Sequence, residues 1–186
     1  MISSINNDCL EISVKHFGAT LTSIKSLKSG NEFLWQGNPE IWNGQSPILF
    51  PVIGKMLDDK YTLGGKEYEM IRHGIARHND FDLFSLNDNE MVFVQYENDD
   101  TLAVYPYQYK LSLSFKLDGN KLTVTHTVKN RNDEKMYFSI GAHPAFNCDI
   151  GDTIVFDKKE TLSCERIDSD SLLIDEKAFS YLLLCT

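Results

Sequence analysis

An all-β sandwich is the fold class this sequence predicts, and three observations predict it. Apolar and polar residues alternate over long stretches, helical periodicity is almost absent, and turn sequences separate the alternating runs. The first run, "CLEISVKH", sets Leu10, Ile12 and Val14 on one face. The clearest is "YKLSLSFKLDGNKLTVTHTV": Leu111, Leu113, Phe115 and Leu117 alternate with polar residues. "DGN" then supplies a turn in which Gly119 readily takes positive φ, and Leu122, Val124 and Val128 continue on the return strand. The pattern predicts a long antiparallel hairpin with one wet face. Further strands are expected at 19–27, 66–71, 91–96, 136–142 and 153–157. "NPEIWNG" reads as one short helical turn capped by Asn38 with Pro39 at the first position. Residues 170–180 read as helix or loop. The closing "YLLLC" reads as the start of a buried strand whose edge lies open.

The 186 residues suit a single domain spanning 1–186, long enough for a real core. With 42% hydrophobic and 24% charged residues the chain has enough apolar surface to offset its ordering entropy, which excludes disorder. The net charge of −9 repels phosphate backbones and anionic membranes, so neither nucleic acid nor a membrane surface is an expected partner. The N-terminus lacks a basic region followed by an apolar run, which predicts no signal peptide and a cytoplasmic protein. Cys9, Cys148, Cys164 and Cys185 form no CxxC pair and are expected to be thiols.

"IRHGIARHNDF" gathers two histidines and two arginines in an otherwise acidic chain. His73 ends an expected strand and precedes a glycine; surface loop and pocket rim are equally open readings. His143 lies in "SIGAHPAFN", where Pro144 forces it out of the helical region and Gly141 and Ala142 leave room for a ligand. A half-buried histidine bonded to a carbonyl explains that segment equally well. Together the two suggest a pocket at a strand-end rim, where one imidazole moves a proton and another orients a hydroxyl. No HExxH or comparable spacing supports a metal site. His16 and His126 stand in strand patterns without polar company.

"SPILFPVIGKMLDDKYTLGGKEYEMIRHGIARHNDF", followed by "FSIGAHPAFN" and preceded by "HFGATLTSIKS", resembles the aldose 1-epimerase (galactose mutarotase) family, nearest to its LacX-like and hexose-phosphate epimerase-like branches. The resemblance runs from about residue 8 to about residue 160. It implies a large antiparallel β-sandwich of the galactose mutarotase type that binds one sugar, an aldohexose or hexose phosphate, with no cofactor. It implies anomer exchange by ring opening, with His143 as the acid and His73 binding and polarising the sugar. Arg77 falls on the motif's arginine, and Lys55 on a basic position that contacts sugar hydroxyls. Aromatic rings stack on pyranose faces; Phe146, Trp35, Trp42 and Phe81 are candidates, although core packing is the simpler role for each. Arg72 and His78 read as solvated neighbours. The family's general base is a glutamate in a C-terminal portion, and Glu165, Asp168, Asp175 and Glu176 match none of its motifs. The expectation is a sandwich lacking its C-terminal part, either weakly active, a sugar-binding module, or a piece that pairs with another chain. An open sheet edge predicts homo-oligomers.

Overall fold

The computed structural model describes residues 1–156, 161–167 and 174–182, with side chains described up to 156. It divides into two units, Met1–Asn147 and Cys148–Thr186. In the first unit, β1 (Ile2–Asn6), β2 (Leu10–Lys15) and β3 (Thr20–Ser26) form an antiparallel sheet in sequence order. A two-residue strand, β4 (Ile48–Leu49), and a hairpin of β5 (Lys60–Leu63) and β6 (Lys66–Glu69) follow. A second sheet has the order β10-β9-β8-β7, from β7 (Asp82–Leu86), β8 (Glu90–Tyr96), β9 (Tyr109–Asp118) and β10 (Lys121–Asn130). Helix α1 (Asp99–Val104) lies between β8 and β9, and β11 (Gly141–Ala142) pairs antiparallel with β4. In the second unit β12 (Thr161–Ile167) and β13 (Ile174–Leu182) pair with each other.

Alternation builds the core. Leu111, Leu113, Phe115 and Leu117 of β9 are all buried, while Ser112, Ser114 and Lys116 between them are not. They join Phe93 of β8 and Ile12, Val14 and Leu21 of the first sheet in one apolar cluster. Each such burial is worth roughly 1.5–3 kcal/mol relative to exposure. The return strand is different. The apolar face of β10 carries Leu122, Val124, His126 and Val128, and Val124 remains 38% exposed. Among the described residues β10 pairs only with β9.

Several expectations shift. The 136–142 strand reduces to Gly141–Ala142, and residues 153–156 are not strand. Residues 174–182 are strand rather than helix. The end of the chain beyond 182 lies outside the described residues. "NPEIWNG" closes as a single turn, with the Ile41 and Trp42 N–H groups both donating to Asn38 O, rather than as a helix. Helix α1 is short but well capped: Asn98 Oδ1 accepts from Thr101 N–H, and Thr101 Oγ1 accepts from Asn98 N–H, each at 2.8 Å. His16 does have polar company, a 2.9 Å hydrogen bond with Ser3 Oγ. Cys9 and Cys148 are free thiols; Cys164 and Cys185 fall outside the described side chains.

Candidate active site

The two histidines are set by three strips of backbone that meet at Phe50. The Phe50 carbonyl accepts hydrogen bonds from Ile75 N–H at 2.9 Å and Ala76 N–H at 3.1 Å. This contact brings the 71–78 segment against the strip that carries β4. Two successive left-handed residues make the approach possible: His73 has φ +66° and Gly74 φ +74°. A Cβ at Gly74 would lie 2.2 Å from Phe50 O, so only glycine fits there. His73 has no such excuse, and holding a non-glycine residue in this region costs roughly 1–2 kcal/mol.

What holds His73 is Gly54. The His73 N–H donates to Gly54 O at 2.8 Å, and the Gly54 N–H donates to His73 Nδ1 at 3.1 Å. The second bond fixes the imidazole chemically. With Nδ1 as acceptor, the neutral ring carries its proton on Nε2 and presents a donor. Burial, then the charges of Arg77, Arg72 and His143, push its pKa below the ordinary 6.5. His73 is therefore a neutral donor at neutral pH, within electrostatic reach of His143.

His143 follows β11. The pairing of Gly141 with Leu49 and Ala142 with Ile48 continues as His143 N–H donating to Pro47 O at 3.1 Å and Ala145 N–H donating to Gln45 O at 2.9 Å. The imidazole stands edge-on to the Trp42 ring, with centroids 5.1 Å apart at 76°. Trp42 is itself tied in place, since its carbonyl accepts from Trp35 Nε1 at 2.9 Å. The alternation of this strip sends Ala142, Pro144 and Phe146 the other way. They line an apolar cleft of about 330 Å³ with Phe115, Val124 and His126. Phe146 is 52% exposed there, on the side of the strip away from His143.

The other candidates lie as follows. Lys55 is exposed and pairs with Asp59 at 3.3 Å. Arg77 sits in the short 3-10 turn Ala76–His78, half-buried, its Nε donating to His78 Nε2 at 3.1 Å. A polar cleft of about 460 Å³ runs from Trp42 to Arg77. His73 and Arg77 thus lie on one short segment in successive turns, and Trp42 links the Arg77 cleft to His143. Phe81 is core, 1% exposed. Trp42 and Gly54 are the residues sequence reading underrated. Trp42 carried the signal of an aromatic in a turn rather than in an alternating run; a glycine needed for its N–H carries none. Among the described residues no three His, Cys, Asp or Glu side chains gather as metal ligands. No described helix is long and apolar enough to cross a membrane.

Residues 1–169 match the aldose 1-epimerase family. The plasmid and chromosomal LacX proteins of Lactococcus lactis subsp. lactis are each 37% identical over 180 residues, covering 94% of this chain and 59% of their own length. The chain therefore spans about three-fifths of these relatives. Among solved structures, a galactose mutarotase related enzyme from Lactobacillus acidophilus superposes with a TM-score of 0.88 at 31% identity, covering 97% of this chain and 62% of that one. A galactose mutarotase-like protein from Lactobacillus casei gives a TM-score of 0.77 at 38% identity over 79% of this chain and 50% of that one. The antiparallel β-sandwich is shared with them, and the chain belongs to the aldose 1-epimerase family.

Proposed function

We propose that the His73–His143 site binds a hexose and serves the exchange of its α and β anomers. The observation that carries the reading is the Gly54 N–H bond to His73 Nδ1, which leaves an Nε2–H donor within electrostatic reach of a second imidazole. In this scheme a base removes the proton from the C1 hydroxyl while His143 protonates the ring oxygen. The ring opens to the aldehyde, the C1–C2 bond turns, and the reverse transfers close the ring on the other face. His73 donates to a sugar oxygen and stays neutral throughout. Lys55 and Arg77, which present donors only, suit further hydroxyls, whereas Phe146 lines the apolar cleft on the other side of the strip and is not part of this site. The base is the part this reading does not assign to a residue of the chain. The family resemblance puts it on a later glutamate, and this chain matches 59% of the LacX length.

Exchange NMR or polarimetry on α-D-glucose and α-D-galactose tests the proposal. Acceleration over buffer that falls about 10²–10⁴-fold in His143→Ala supports catalysis. Sugar-dependent shifts of the His73 and His143 signals without acceleration support a binding module of the same fold instead. No shift and no acceleration would end the sugar reading.

A further inference from the structure

His143 is held by its main chain and not by its ring. Pro144 keeps it extended, and its N–H donates to Pro47 O at 3.1 Å. The imidazole is exposed, and among the described residues no hydrogen bond reaches either of its nitrogens. His73 differs, since the Gly54 N–H fixes its ring through Nδ1. A histidine ring turns between two broad wells about its outer torsion, so an unbonded imidazole does not by itself aim its proton. A proton donor has to come within about 2.6–3.2 Å of the atom it protonates, so aim is part of the chemistry.

The ring contact that His143 does make is with Trp42, at 5.1 Å between centroids and 76° between planes. Trp42 is built to stay where it is. Its N–H donates to Asn38 O at 2.7 Å, and its carbonyl accepts from Asn38 N–H at 3.1 Å and from Trp35 Nε1 at 2.9 Å. Gly44 seats the indole. A Cβ at Gly44 would lie 2.3 Å from Trp42 Cζ2 and 2.5 Å from Cε2, so the indole lies directly on the Gly44 main chain and only glycine leaves it room. Trp35 then joins the two partners. Its main-chain N–H donates to Ala145 O at 2.9 Å, two residues past His143, while its indole N–H goes to Trp42 O. Gln45 adds a second tie: its carbonyl accepts from Ala145 N–H at 2.9 Å, and its Nε2 donates to Trp35 O at 3.1 Å. A closed circuit of hydrogen bonds, rather than the two side chains alone, sets the distance between indole and imidazole.

We propose that Trp42 is a positioning residue for His143: its indole, seated on Gly44, restrains the imidazole so that its proton is aimed at the ring oxygen of the bound sugar. This rests on the anomer-exchange reading and adds to it a residue that acts through His143 rather than on the reacting atoms. A ring contact suits the task, because it restrains the imidazole without spending either nitrogen on a hydrogen bond. Both nitrogens stay available to give the proton and to take it back.

Steady-state anomer exchange on glucose and galactose, with NMR of the histidine ring protons, tests this on the full chain. Trp42→Leu should lower kcat about tenfold, the upper scale of an edge-on ring contact, and change KM by less than about twofold. Trp42→Phe, which keeps a ring, should recover most of the loss. Gly44→Ala leaves the tryptophan in the chain but unseats its indole, so it should reproduce the fall in kcat, and it carries the test if Trp42→Leu does not fold. Without sugar, the ring-current shift of the His143 ring protons should vanish in Trp42→Leu and change in Gly44→Ala. A raised KM with kcat intact would make Trp42 a sugar contact and overturn the positioning role, as would an equal kcat in parent and variants. If the parent does not accelerate exchange, the catalytic reading fails by itself, and the ring protons still decide the contact. A shift lost in Trp42→Leu then upholds the restraint on His143, and a shift unmoved by it overturns the restraint.

Discussion

Gly74 is the residue on which the histidine geometry turns. Its φ of +74° and the 2.2 Å approach of a would-be Cβ to Phe50 O mean that alanine must push two backbone strips apart. Gly74→Ala is expected to destabilise the fold by about 3 kcal/mol, combining a left-handed penalty with a backbone clash. Chemical denaturation measures that loss. The same shift should loosen the Gly54 N–H bond to His73 Nδ1, so nitrogen NMR of the imidazole would register a mixture of tautomers in the variant and a single Nε2–H form in the parent. A stability change below about 0.5 kcal/mol would show that the strips are not locked together as described. Little of this was open to sequence reading. His73, His143 and Arg77 announced themselves by residue type, and Pro144 by its effect on the preceding backbone. The tautomer of His73 depends on a backbone N–H at Gly54, nineteen positions away, which no side chain advertises.

Strand β10 shows which part of the fold the sequence does encode. The β9–β10 hairpin pairs from Lys121–Asp118 to Asn130–Tyr109 without a slip, because strict alternation over ten residues leaves one register that buries the apolar face. Short elements escaped for the converse reason. Two-residue strands and the six-residue helix α1 hold too few residues for any period to emerge, and they exist because tertiary contacts and caps complete them. The same alternation places His126 on the apolar face of β10, opposite Leu113, where burial alone lowers its pKa from 6.5. The sign follows from linkage. A histidine whose folded pKa lies below its unfolded value resists protonation in the folded state, so the unfolded state binds more protons as pH falls. Stability is fully present above the unfolded value of about 6.5 and is lost as pH drops from there toward the depressed folded value. His73 and His78 shift in the same direction and add to the slope. His126→Leu should therefore flatten part of the fall in melting temperature between pH 7 and pH 5 while raising stability at the acid end. An unchanged slope would mean that the ring is solvated in the folded protein.

The alternation on β10 also governs how two copies of the chain can meet. Its second edge pairs with nothing described, and its apolar face is partly open at Val124. Such an edge is a template for another strand. In an antiparallel pair, residues directly opposite each other share a face. The apolar-face residues of β10, Leu122, Val124, His126 and Val128, all carry even numbers, so two copies keep their apolar faces together only in registers that set even against even. Centring the pair on Thr125 satisfies this but puts Lys121 against Lys129 of the second copy, twice, and like charges placed opposite are destabilising. Centring it on His126 sets Lys129 against Thr123, moves Lys121 opposite Arg131, which lies beyond the strand and pairs with Glu97, and pairs Val124 with Val128 in both directions. We predict self-association in this register, seen as a mass that rises with concentration in light scattering. Val124→Lys, which puts a charge on the shared face, should return the protein to a monomer. The register also brings the two His126 rings together, so association should weaken as acid puts protons on both rings, below the ordinary histidine range because burial lowers their pKa. A monomer at high concentration and neutral pH would show that the lysines at the two ends of β10 already suffice to protect its edge.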